Sequence, residues 1–315
     1  MKKILISGFL ILVTVAIKSQ QLPQVSHFMY DNVRTNPGSA GNKDMICISG
    51  ISRQQMVGFP GNPVNFIFNV DAPFRLFGVQ HGVGLAMFND ALGFNSDINF
   101  QLDYAFRVNI GDGVLGIGVS GGFFDKNLDP EWVYVDEDTD PYAPEGDATN
   151  MAFSLGAGLF YRNENIYFGA SALNINTPEI VSAGSGGNTN SEVVYLLERH
   201  YYITAGYDMQ LSNPAWELKP AVLLKSDFAA TDLDLNLTVE YNKNIWGGVT
   251  YRTGEAVIGM IGLELIENLR VGYSYDFATS SITKYSSGSH EIMLNYCFKI
   301  GVEKAPQKYK SIRFL

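Results

Sequence analysis

From Met45 onward, apolar and polar residues alternate with a period of two in segments of roughly ten residues, separated by clusters of Gly, Asn, Asp and Pro. The clearest segment sets Leu233, Leu235, Leu237, Val239 and Tyr241 against Asp232, Asp234, Asn236, Thr238 and Glu240. Successive side chains of a strand point to opposite faces, so one face here is apolar and the other wet. The pattern recurs at Phe153, Leu155, Ala157, Leu159 and Tyr161, opposed by Ser154, Gly156 and Gly158. It recurs again at Val271, Tyr273, Tyr275 and Phe277, opposed by Gly272, Ser274 and Asp276. About fourteen such segments can be drawn, and long helical periodicity is nearly absent.

Connection lengths then separate the architectures. Gaps after even-numbered segments are mostly tight, as at Gly111–Asp112, Asn163–Glu164 and Lys243–Asn244, whereas those after odd-numbered segments include Asp125–Asp147, Thr177–Leu197 and Ser280–Ser287. Short turns at one rim and long loops at the other mark bacterial outer-membrane barrels, and an even strand count returns both ends to the periplasmic rim. The expected fold class is therefore all-β: a transmembrane antiparallel β-barrel of about 14 strands, spanning residues 44–300. A soluble β-sandwich would also alternate. The adjacent aromatics Phe123 and Phe124, Phe160 and Tyr161, and Tyr201 and Tyr202 near strand ends favour the barrel, because such girdles suit a bilayer interface.

The chain ends add three regions. Residues 1–20 carry Lys2 and Lys3 before a low-polarity run from Ile4 to Ile17, the pattern of a secretory signal peptide. No later run of eighteen apolar residues appears, which excludes a helical transporter. Residues 21–43 form an N-terminal periplasmic extension, which Pro23, Pro37 and Gly38 predict to be extended and turn-rich. Two placements are open to it: tucked into the lumen or laid along the periplasmic rim. Residues 301–315 form a basic periplasmic tail in which Lys304, Lys308, Lys310 and Arg313 face only Glu303.

Composition narrows the chemistry. With 46% hydrophobic and 17% charged residues the chain is not a disordered polyelectrolyte, and its two cysteines cannot supply a disulfide framework. Cys47 and Cys297 should both face the lumen, and pairing of the first and last strands should bring their Cα atoms within roughly 10 Å, with the bond itself left open. Asp208, Asp232, Asp234, Glu240, Glu264 and Asp276 are expected to line the lumen, and alternation does not decide whether that lumen conducts or is plugged.

No catalytic constellation is found, and an enzyme is not expected. His27, His81, His200 and His290 stand singly, without metal-ligand spacing. The glycines between Gly111 and Gly122 read as small side chains in a curved strand, since no helix signal or Lys-Ser/Thr pair follows them. Between Asp125 and Asp147 nine carboxylates face Lys126 alone. Asp136, Asp138 and Asp140 have the spacing that opens a calcium loop, but Pro141 stands where the turn needs glycine and Asp147 where a bidentate Glu is needed. A solvated acidic loop is the main reading; weak Ca2+ binding and docking of a basic partner are the lesser ones. No cofactor and no nucleic-acid partner are expected.

Two ordered stretches carry a family resemblance. The first includes Pro23, Ser26, Phe28, Tyr30, Asn36, Pro37 and Gly41; the second includes Arg53, Gln55, Gly58, Phe59, Gly61 and Pro63, with Met56 where tryptophan is common. Together with the closing segment from Ser289, they resemble the PorP/SprF family of type IX secretion system membrane proteins of Bacteroidetes. The resemblance implies an outer-membrane component of a secretion and gliding apparatus: a non-enzymatic platform for secretion or surface attachment of cargo such as cell-surface adhesins. Implied partners are outer-membrane lipid, the C-terminal sorting domain of cargo, and periplasmic subunits of the system. The rival reading is an outer-membrane diffusion channel or hydrophobic-solute transporter.

Overall fold

The computed structural model describes residues 23–128, 148–183, 192–279 and 286–299. In chain order the barrel strands are β1 (Ile46–Gln54), β2 (Val64–Leu76), β3 (Val79–Leu92), β4 (Asn95–Ile110), β5 (Gly113–Leu128), β6 (Ala148–Arg162) and β7 (Ile166–Leu173). They continue as β8 (His200–Tyr207), β9 (Trp216–Ser226), β10 (Thr231–Tyr241), β11 (Ile245–Arg252), β12 (Ala256–Ile266), β13 (Leu269–Ala278) and β14 (Ser289–Phe298). Each pairs antiparallel with its neighbours, β8 joins β7 to β9, and β1 joins β14. The sheet therefore closes, which gives the strand backbones hydrogen-bond partners where a bilayer offers none.

The pleat sorts side chains as the pattern requires. On β4, Ile98, Phe100, Leu102, Tyr104 and Phe106 are exposed on the outer face, while Asn99, Gln101, Asp103 and Arg107 are buried inside. On β10, Leu235, Leu237 and Tyr241 face outward, and Asp232, Asp234, Asn236, Thr238 and Glu240 face the lumen. The short-turn rim includes Phe77 and Gly78 between β2 and β3, with φ of 51° and 82°. Two successive positive φ values match the right-handed twist of a tight hairpin.

The structure corrects two details. The adjacent aromatics do not stand together in a girdle: Phe124, Phe160 and Tyr202 point inward and are buried, while their neighbours Phe123, Tyr161 and Tyr201 point out. A period of two makes that split unavoidable. The seventh strand, expected to reach residue 176, ends at Leu173. Asn174 and Thr177, at φ of 54° and 40°, turn the chain away into a separate hairpin of Glu179–Ala183 and Glu192–Leu196. That hairpin places Ile180 in one buried cluster with the inward-facing Phe88, Phe124 and Ala152, with Leu197 just beyond its second strand in the same cluster.

The signal peptide, the acidic stretch with Asp136, Asp138 and Asp140, and the tail 301–315 lie outside the described residues.

Candidate functional site: the segment inside the barrel

Residues 23–43 run through the lumen, one of the two placements open to the N-terminal extension. Pro23 sits beside His200, Lys225 and Asp232 at the long-loop rim, and Gly41 reaches Asp71 near the short-turn rim, just before β1 begins. The reason is polar: Ser26, His27, Asp31, Arg34, Thr35 and Asn36 are all buried and match the polar inner face of the strands. Buried polar groups need partners, and this segment and the wall supply each other's.

Four strands of the wall hold the first turn. Glu291 on β14 is fully buried and accepts from the backbone N–H groups of Ser26 and His27, both at 2.8 Å, and pairs with His27 Nδ1 at 2.7 Å. Ser26 Oγ donates to Asp276 on β13 at 3.0 Å and accepts from Arg53 Nη1 at 2.7 Å. Arg53 also pairs with Asp276 at 2.7 Å and with Glu291 at 3.4 Å. On β11, Arg252 pairs with Asp234 at 2.9 Å and donates to the Val25 carbonyl at 3.1 Å. Phe28 packs on Leu173, Tyr202 and Leu223.

The middle is held by Asp31 and Arg34, an i,i+3 pair formed between the residue that precedes the α-helical turn Asn32–Thr35 and the turn itself. Asn69 Nδ2 donates to Asp31 at 2.9 Å, and the Arg34 guanidinium lies over the Phe88 ring. Pro37 keeps Asn36 extended, at φ −149° and ψ 106°. The Asn36 side chain then accepts from Gly38 N and donates to the Leu159 carbonyl, both at 2.9 Å.

Glycines let the backbones touch. A Cβ at Gly118 would lie 2.2 Å from Gly38 N, and one at Gly82 would lie 1.9 Å from the Ala40 carbonyl oxygen. The glycine-rich stretch of β5, which suggests only curvature in the sequence, is thus a seat for Pro37 and Gly38. Toward the short-turn rim a cavity of about 130 Å³ remains beside the segment, walled by Tyr30, Lys43, Arg162, Lys219, Glu240, Trp246 and Arg270.

The structure divides the two motif stretches. Pro23, Ser26, Phe28, Asn36, Pro37 and Gly41 are buried in the lumen, Tyr30 is half-buried against Trp246, and Arg53 joins them there. Gln55, Gly58, Phe59, Gly61 and Pro63 form the loop between β1 and β2 instead, where Gln55 N donates to Pro63 O and Gly61 O accepts from Gly93 N. Sequence reasoning placed Asp234 and Asp276 on the inner face without assigning them partners, and it passed over Glu291, Arg252 and the anchoring role of His27. Nothing local distinguishes these residues. Among the described residues no group of three His, Cys, Asp or Glu is placed to hold a metal ion.

Among solved structures the chain is similar to the translocator domain of autotransporter NalP from Neisseria meningitidis, at 12% identity over 87% of this chain and 96% of that chain, with a TM-score of 0.49. It is also similar to the Ralstonia pickettii toluene transporter TbuX, at 12% identity over 85% and 93%, TM-score 0.48. A third likeness is to the CymD monoaromatic hydrocarbon channel, at 10% identity over 86% and 93%, TM-score 0.48. These likenesses are remote, and the architecture rests on the closed sheet itself. No curated protein matches the chain. The family model for type IX secretion system membrane protein PorP/SprF matches residues 17–296, which takes in both motif stretches, the lumenal segment and nearly all of the barrel. The chain therefore belongs to the PorP/SprF family and is an outer-membrane β-barrel of the type IX secretion system.

Proposed function

We propose that this barrel is a non-enzymatic platform that holds secreted cargo, such as the C-terminal sorting domain of an adhesin, or periplasmic subunits of the type IX system, rather than a pore for solutes. The observation that carries the reading is the lumenal segment. A through-channel would need residues 23–43 to leave, yet Glu291, Asp276, Arg53 and Arg252 bind its first turn from four different strands. Breaking buried charge pairs of this kind costs roughly 3–5 kcal/mol each. With the lumen filled, the two rims are the surfaces left for recognition, and they differ: loops at one end, tight turns at the other.

The test has two arms on purified wild-type protein. In planar bilayers the expected result is no large, steady conductance, and in pull-downs the expected result is retention of a sorting domain or a periplasmic subunit. A large, steady conductance together with no retained partner would replace the platform with a diffusion channel.

A further inference from the structure

We propose that a cavity at the short-turn rim, beside the β2–β3 hairpin, is an oxyanion site that takes a phosphate group. The sheet register builds it. Arg75 on β2 pairs with Gln80 on β3, and Gln80 pairs with Arg107 on β4, so the three side chains form one row on the lumen-side face. The adjacent row, Phe74, His81 and Phe106, lies on the lipid side. Neighbouring strands are about 4.8 Å apart, which sets the two arginine Cα atoms roughly 10 Å apart with the amide between them. Two guanidinium groups on such a span can close on a single phosphate, each offering a planar pair of N–H donors.

Three observations point to a ligand. Arg75, Gln80 and Arg107 line a cavity of about 450 Å³. Arg107 is 7% exposed, and its Nη1 has no hydrogen-bond partner, so a buried charged donor stands unused. Among the described residues, neither arginine makes an ion pair within 4 Å. Asp44 lines the same cavity, and Asp71 nearby already accepts from Gly41 N. Of the two carboxylates near Arg107 only Asp44 lines the cavity, so within its walls two guanidinium groups face one carboxylate, which leaves room for an added anion.

The position selects the chemistry. Leu76, Phe77 and Val79 are exposed at the adjoining turn, and Phe74 and Phe106 are exposed on the outer wall, so the apolar band reaches this rim. The outward Phe74 and His81 line the cavity beside the two arginines, so it opens at the rim toward the phosphates of the leaflet facing the periplasm, and free phosphate in that compartment offers the same oxygens. The inference rests on the outer-membrane location and is independent of the platform role.

The experiment uses the full-length protein in detergent. One arm titrates inorganic phosphate and follows its 31P line width. The other passes the protein through phosphatidylglycerol vesicles, re-extracts it and reads retained lipid by native mass spectrometry. Wild type should bind in at least one arm, and R75Q/R107Q should bind about tenfold more weakly or worse in that arm. Retained lipid names the leaflet as the source, and binding of inorganic phosphate without retained lipid names the free ion. Should the double variant fail the heat-shift assay for a folded barrel, R75Q replaces it, because Arg75 is exposed and its loss leaves the fold intact. No binding in either arm, or equal binding by the folded variant, overturns the site.

Discussion

The Cα atoms of Cys47 and Cys297 lie 4.1 Å apart and their sulfurs are bonded, although 250 residues separate them in the chain. The two positions face each other across the β1–β14 pairing, so the bond staples the seam where the first and last strands meet. Neither cysteine should therefore be alkylated in the folded, unreduced protein, and both should be after reduction. The C47S/C297S variant should still close, because the β1–β14 ladder runs from Ile46 to Gln54, but with stability lowered by about 2–4 kcal/mol. Alkylation of both thiols without reductant would remove the staple.

Removing Glu291 should release the lumenal segment at its start. E291A deprives two backbone N–H groups and His27 Nδ1 of their acceptor and leaves Asp276 as the one carboxylate paired with Arg53, a loss of roughly 3–5 kcal/mol. The expected outcome is a barrel of unchanged heat shift, raised single-channel conductance, and new tryptic cleavage after Arg34. Wild-type conductance and an uncut segment would show that the rest of the segment holds without this anchor.

Glycine positions offer a matched pair. G82V places atoms where the Ala40 carbonyl oxygen already lies, 1.9 Å from the first added carbon, so the segment has to move off β3. G50A adds a methyl group with nothing within 4 Å and should be silent. Limited trypsinolysis with mass spectrometry should find cleavage between residues 23 and 43 in the first variant only. Equal resistance of both variants would mean that the segment accommodates a side chain there.

Much of this protein is written locally. Alternation at Leu235, Leu237 and Tyr241 against Asp234, Asn236 and Glu240 dictates a strand with one lipid face and one polar face, because the pleat allows no other sorting. Turn chemistry and loop lengths then give the strand order, and closure follows from an apolar exterior that tolerates no open edge. Even the Cys47–Cys297 seam follows from counting parity along the first and last strands.

The content of the lumen is different. A polar inner face satisfies its groups equally well with water or with a threaded segment, so the residues of the wall look the same in either case. Ser26, Asn36 and Arg53 are marked by the family resemblance, but their partners are not: Ser26 meets Glu291 across 265 residues, and Gly118 matters only because Gly38 lies against it. Those contacts exist only once fourteen strands have closed and set a barrel radius that the segment fits. The sequence by itself thus determined the wall, its two faces and its seam, while tertiary structure alone decided that the lumen is filled and by which residues, because only closure brings the segment's donors within reach of the carboxylates on β13 and β14.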